Sequence, residues 1–372
     1  MTHPLDGPPG APVRPMPMPS TSAPRRTRVY AALDLGTNNC RLLVSTPEGD
    51  GFRVLDAFSR IVRLGEGLEA SGRLSEAAMH RALGALRICA EKLGRADVDR
   101  MRLIATEACR RATNGAAFLE RVASETGLAL EIVDRGTEAR LAVQGCEPLI
   151  AAEAPATVLF DIGGGSTEIA LVEGKDGARA ISAWTSLPVG VVTLAERHGG
   201  RHVTPQLFQT MIDEVADMIA AYPDREKMVA AAGQPGFHLL GTSGTVTTVA
   251  GVHLGLKRYD RRRVDGLWMR DQDVSDVVET LLSLTYEERV QNACIGPDRA
   301  DLVLAGCAIF EAIRQEFPSR RLRIADRGLR EGILVELMRD DGLIGRDPSA
   351  PGLRPGERRR RRRRRSERGE TA

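Results

Sequence analysis

The chain is poor in aromatic side chains, which make up 4% of its 372 residues. Any core must then be built from Leu, Ile, Val and Ala, as in α/β proteins. No apolar run approaches the ~20 residues that cross a bilayer, which argues against a helical membrane protein. Cysteine is sparse: Cys40, Cys89, Cys109, Cys146, Cys294 and Cys307 are widely spaced, without a C-x-x-C pair. Neither a zinc site nor a disulfide framework is expected, and a reducing cytoplasm suits such a chain. An apolar signal-peptide core is also missing. Eight prolines fall within the first 24 residues, and this stretch reads as a disordered arm.

Acidic side chains outnumber basic ones in the body of the chain, although the net charge is +2. Residues 351–372 carry ten Arg against three Glu, and residues 1–28 carry four Arg against one Asp, which leaves about −8 for residues 29–350. An acidic body has to hold an anion through local donors or a metal, because its overall field does not attract one. The eight-arginine run Arg358–Arg365 has three readings. It is a solvated tail, a nonspecific nucleic-acid contact, or a device that concentrates a polyanionic substrate near the body.

The length favours two domains. Residues 1–28 and 346–372 read as low-complexity arms. Between them short apolar strands alternate with amphipathic helices. Ser75 caps a run in which Met79, Leu83, Leu86, Ala90 and Leu93 recur at helical spacing, and Thr204-Pro205 opens another helix. Further helices are expected at 115–126, 272–284, 299–316 and 328–340, and buried strands at 102–105, 130–133, 238–240 and 321–324. This is α/β order.

One pattern occurs twice. Residues 30–44, YAALDLGTNNCRLLV, and residues 158–171, VLFDIGGGSTEIAL, both run from an apolar strand through Asp and a glycine-rich polar turn into a second apolar strand. The echo points to two domains of related build, 29–140 and 141–345, whose turns face each other across a cleft. The last helix is free to pack back on the first domain.

Glycine permits positive φ and close approach, so Gly163, Gly164 and Gly165 can aim amides inward as an anion nest, with Ser166 and Thr167 adding hydroxyls. Asp34 and Asp161, each ending a buried strand, are costly beside a phosphate unless a cation lies between them. Mg²⁺ prefers such oxygen ligands together with phosphate and water. In Ala105–Asn114, a strand end passes into a segment with Arg110 and Arg111, either of which could form a bidentate bond to phosphate. Glu138 begins a helix after a polar turn, where a carboxylate commonly serves the helix dipole. Gly241, Ser243, Gly244 and Thr245 form a glycine-hydroxyl loop after a strand, suited to a further phosphate or a nucleotide.

Taken in order, DLGTNN, A-T-x-A-x-R-x-A-x-N, the strand leading to Thr137-Glu138-Ala139-Arg140, DIGGGSTE, GTSGT and the closing Ala325–Gly332 segment ADRGLREG resemble the exopolyphosphatase and guanosine pentaphosphate phosphohydrolase (Ppx/GppA) family. This family is a branch of the actin-like ATPase superfamily, and the resemblance runs from about residue 29 to about residue 342. It implies two ribonuclease-H-like α/β domains around a cleft, and Mg²⁺-dependent release of terminal orthophosphate from inorganic polyphosphate or of the 5′ γ-phosphate from pppGpp. A homodimer is implied as well. The resemblance makes Glu138 the catalytic acid that orients or activates water, assigns Glu168 to the metal or the water, and selects Arg110 rather than Arg111 as the cleft arginine. Asp34 and Asp161 match the metal carboxylates. Gly36, Thr37, Asn38, Gly163, Gly164, Gly165, Ser166 and Thr167 match the phosphate-cradling positions. Two departures stand out. Thr137 replaces the first of a pair of acids found in many members, and the added helical region of longer members, which lengthens their polyphosphate channel, is not expected in a chain of this length. Rival readings are a small-molecule kinase of the same superfamily and a non-hydrolytic (p)ppGpp or nucleotide sensor. Retention of Glu138 and Glu168 speaks against the sensor.

Overall fold

The computed structural model describes residues 27–174 and 179–345. The arms expected at 1–28 and 346–372, including the Arg358–Arg365 run, lie outside the described residues apart from Thr27 and Arg28. Two sheets carry the fold. The first contains β1 (Tyr30–Leu35), β2 (Asn39–Glu48), β3 (Gly51–Ile61), β4 (Arg100–Ala105) and β5 (Glu131–Ile132), in the order β3-β2-β1-β4-β5. The second contains β6 (Ala156–Ile162), β7 (Thr167–Glu173), β8 (Ala180–Leu187), β9 (His238–Thr242), β10 (Trp268–Arg270) and β11 (Arg321–Ala325), in the order β10-β11-β9-β6-β7-β8. Each sheet begins with a three-stranded antiparallel meander, and its first strand then takes a parallel partner, β4 in one sheet and β9 in the other. This shared plan is the ribonuclease-H-like arrangement, so the sequence echo is also an echo in topology.

β1 and β6 lie inside their sheets with both faces covered, which is why they read as unbroken apolar runs. Their acids, Asp34 and Asp161, stand near the carboxyl ends of the strands, the end at which open α/β sheets bind ligands. Strand register then sets each acid's neighbour: Asp34 pairs across to Arg41 on β2, and Asp161 to Glu168 on β7. The repeat keeps the aspartate and exchanges a cation for a second acid beside it.

Local capping signals place the helices. Ser75 Oγ accepts from Ala78 N at 3.2 Å at the start of the Glu76–Ala96 helix, and Thr204 Oγ1 accepts from Leu207 N at 3.1 Å before the Pro205–Ala220 helix. The helix expected from residue 299 begins only at Val303. The boundary expected between residues 140 and 141 falls inside the Arg135–Cys146 helix. That helix crosses the Leu329–Asp340 helix very closely: a Cβ on Gly145 would stand 1.9 Å from Gly328 O, and one on Gly332 would stand 2.0 Å from Leu141 O. Although it follows the second sheet in sequence, the Leu329–Asp340 helix buries Ile333, Leu334, Leu337 and Met338 among Tyr30, Ala32, Leu43 and Ile104 of the first. Each such side chain contributes roughly 1.5–3 kcal/mol of burial. The helix pair thereby ties the sheets together and fixes where Glu138 stands. Among the described residues, no helix is long and apolar enough to cross a membrane.

Candidate active site

The β1–β2 turn and the β6–β7 turn touch. A Cβ on Gly164 would lie 2.9 Å from Asn38 N, and one on Gly165 would lie 2.8 Å from Thr37 Oγ1. Behind them, a Cβ on Gly190 would stand 2.5 Å from Gly165 N. None of Gly36, Gly163, Gly164 or Gly165 has a positive φ, contrary to the expected nest conformation. Glycine is needed here because the turns and the Gly190 segment crowd one another. The amides of Gly36 and Gly163 close their own turns, donating to Asn39 O and Ser166 O at 2.9 Å each. The amides of Asn38, Gly164 and Gly165 donate to nothing among the described residues, so these donors are free at the contact.

These turns line a cavity of about 120 Å³ together with Asp34, Glu138, Asp161 and Glu168. Burial raises the Asp34 carboxyl above its ordinary range, partly opposed by Arg41 and Arg330. Burial, with Asp34 adding to it against Arg41, pushes Asp161 up to about 6. Burial and then Asp161 push Glu168 up to about 7, although Ser186 Oγ donates to it at 2.8 Å. Glu138 is raised well above its usual value, first by burial and then by Glu168, with Arg110 pulling the other way. Ionising these four carboxyls together in one small space is costly without a compensating cation.

The Gly244–His253 helix directs its N-terminus at the same cavity through Ser243, Gly244 and Thr245. Ser243 has φ 112°, a region almost reserved for glycine, and its buried Oγ has no partner. Such strain marks a functional loop more often than an idle one. The Oδ1 atoms of Asn38 and Asn39 are also buried without partners, and both residues line the cavity.

Three expected site residues stand elsewhere. Thr167 Oγ1 donates to Val189 O at 2.7 Å and is spent on packing. Gly241 is a glycine because a Cβ would lie 2.5 Å from the Phe160 ring; it does not line the cavity. Arg110 stands behind the wall. Its guanidinium donates to Glu138 Oε2 at 3.1 and 3.0 Å, to Glu107 Oε2 at 3.1 and 2.5 Å, and to Val133 O at 2.6 Å. All of these bonds hold the Arg110 guanidinium against Glu138 and Glu107. The trio Asp34, Asp161 and Glu168 does not close into a cage either: among the described residues, no three His, Cys, Asp or Glu side chains are grouped to hold one metal ion.

Glu107, Arg41 and Arg299 also line the cavity, and sequence reasoning gave them no role. Burial raises Glu107, but hydrogen bonds from Arg135 and Arg110 outweigh this and hold its carboxyl below the ordinary value. Counting along the β1–β2 hairpin would have placed Arg41 beside Asp34. Nothing local points to Arg299.

The raised acids predict a pH effect. A carboxyl whose folded value exceeds its unfolded one costs nothing below about pH 4 and its full amount above about pH 7. For Asp161, whose folded value is about 6, Asp161→Asn is expected to gain stability relative to the parent chain between about pH 5 and about pH 8. Urea midpoints at the two pH values measure this. A difference independent of pH would contradict it.

Residues 43–341 match the model of the Ppx/GppA phosphatase family. The chain is 31% identical over 329 residues to exopolyphosphatase 2 of Mycobacterium tuberculosis, an alignment covering 84% of this chain and 98% of that protein. It is 30% identical over 323 residues to the guanosine-5′-triphosphate,3′-diphosphate pyrophosphatase of Photobacterium profundum, covering 83% of this chain and 59% of that protein. Among solved structures, the Aquifex aeolicus Ppx/GppA family member superposes with TM-score 0.67 at 27% identity, over 84% of this chain and 98% of its own.

Proposed function

The chain belongs to the Ppx/GppA phosphatase family, and from that premise we propose that it releases the terminal orthophosphate of inorganic polyphosphate or the 5′ γ-phosphate of pppGpp, with Mg²⁺ held by Asp34 and Asp161. The observation that carries this reading is one cavity in which four buried carboxyls meet free amides from two touching glycine turns. A polyanion alone would be repelled there, and a cation alone would leave the amides unsatisfied. A phosphate chain with a cation meets both needs.

The donors fit that ion. Asp34, Asp161 and the unpartnered Oδ1 atoms of Asn38 and Asn39 are hard oxygens. Mg²⁺ takes one or two carboxylates and completes its shell with water and substrate phosphate, so a ready-made protein cage is not required. When bound, the ion would neutralise charge on the phosphate oxygens.

The remaining work falls to the chain's own groups. The amides of Asn38, Gly164 and Gly165 and the start of the Gly244–His253 helix donate to phosphate oxygens at the reacting end. Past Asp34 and Asp161 the cavity continues into an opening of about 590 Å³ lined by Arg41, Arg299 and Arg330. These arginines make no ion pair among the described residues, and they take the charge of the leaving chain. Glu138, oriented by Arg110, holds the attacking water in line and accepts its proton; burial and Glu168 raise its pKa and so make its ionised form the more basic. Six buried, unpaired cysteines suit work in a reducing cytoplasm.

A colorimetric assay for orthophosphate on polyphosphate, pppGpp and ATP, with Mg²⁺ or with a chelator, tests the proposal. Release from polyphosphate or pppGpp that stops on chelation is expected. ADP formed from ATP only when an acceptor cosubstrate is present, without orthophosphate, would favour a kinase, and no release from either substrate would overturn the reading.

A further inference from the structure

Just beyond β3 the chain enters a loop in which Arg63 has φ 46°, a left-handed conformation uncommon for a residue with a side chain. The loop is tied to the first glycine turn. Val62 N and Arg63 N both donate to Asn38 O, at 2.8 and 3.0 Å, and Gly65 N donates to Thr37 O at 2.9 Å. From the Glu76–Ala96 helix, Arg81 donates to Val62 O at 2.8 Å and to Arg63 O at 3.1 Å. Turn and loop therefore form one piece, and the surroundings impose the strained backbone.

From that backbone the guanidinium reaches the second half of the molecule. Its terminal nitrogens bond the two oxygens of Asp301 at 2.8 Å each, and one also donates to Asp298 O at 3.1 Å. This is the fork geometry in which an arginine–carboxylate pair is both strong and directional. Asp301 is itself fixed: a Cβ on Gly200 would stand 1.6 Å from its carbonyl oxygen, and the adjoining Leu302 N and Val303 N donate to Arg299 O at 2.9 Å each. Arg299, Leu302 and Val303 line the same cavity as Asn38. Two other contacts join the halves at this edge, Gly67 N to Glu196 Oε1 and Arg197 to Glu69 Oε1, each at 2.8 Å. Of the three, the Arg63 pair is the one that ends beside Arg299.

We infer that Arg63 is a positioning residue: its pair with Asp301 sets the gap between the Asn38 turn and the Arg299–Val303 segment, and with it the grip on a phosphate chain. The inference rests on the phosphohydrolase reading of the cleft. Its direct test is Arg63→Gly in the full chain, because glycine accepts the left-handed backbone without strain and only the guanidinium is lost. The expected result is an unfolding midpoint equal to or above that of the parent, a KM raised about tenfold, and kcat within about threefold. Affinity for an imido-linked triphosphate, read by calorimetry with Mg²⁺, should fall by the same factor. The exchange Arg63→Asp with Asp301→Arg should recover most of both losses, since Asp also tolerates positive φ. A purely structural role would instead lower the midpoint and the active fraction while leaving KM alone. Parental KM and affinity in Arg63→Gly, or no recovery in the exchange, overturns the inference while phosphate release by the parent leaves the functional reading intact. If the parent releases no phosphate, the functional reading falls, and the calorimetric comparison still decides whether Arg63 sets the grip.

Discussion

Glu138→Gln is expected to lower orthophosphate release by roughly 10²- to 10⁴-fold in kcat, the usual contribution of a positioned acid–base group, with KM little changed. The amide keeps the size of the carboxyl and loses its capacity to take a proton. Stability should hold or rise, because the parent group is buried and pushed toward its neutral form by desolvation and by Glu168. Arg110 would retain its bonds to Glu107 and Val133 O. Steady-state assays on polyphosphate and pppGpp, beside a thermal unfolding curve, provide the check. Near-parental turnover on both substrates would remove Glu138 from the reaction.

Gly164→Ala should be nearly as damaging, for a geometric reason. The added methyl would lie 2.9 Å from both Asn38 N and Thr37 Cβ, so one turn has to withdraw from the other. A displacement of about 1 Å at a reacting centre costs on the order of 10²-fold in rate, and the overpacking costs about 1–3 kcal/mol of stability. Gly84→Ala is the control: it lies within the Glu76–Ala96 helix, with nothing within 4 Å of the added atom. That change should be neutral or stabilising by about 0.5–1 kcal/mol. Parental kcat/KM in Gly164→Ala would mean that the two turns do not meet in the working enzyme.

What could be read from the chain itself was mainly local. Ser75 and Thr204 announce their helices because a cap needs only its own first turn, and the two Asp-glycine turns stand out because each sits between two apolar runs. The doubling of the pattern carried the fold class, since two like hairpins imply two like sheets. Pairwise facts were harder to see. The glycines were expected to serve positive φ and close approach; only the second holds, and which groups approach, Gly190 and the opposite turn, no local pattern encodes. Arg110 was expected at a phosphate; its two carboxylate partners are three positions away in one case and 28 in the other, and only the folded chain brings both to it. Arg63 and Asp301 are 238 positions apart, and the strain at Ser243 and Arg63 leaves no mark in composition. The exchange of Arg41 for Glu168 beside the paired aspartates was legible by counting residues around each hairpin, and it follows from register alone.

The central claim is that the two glycine turns grip a phosphate chain bridged by a cation between Asp34 and Asp161. A crystal structure with Mg²⁺ and an imido-linked triphosphate tests it most directly. Phosphate oxygens against the amides of Asn38, Gly164 and Gly165, with the ion bonded to at least one of the two aspartates, is the predicted result. A ligand lodged away from both turns, with the aspartates touching neither ion nor phosphate, would contradict it.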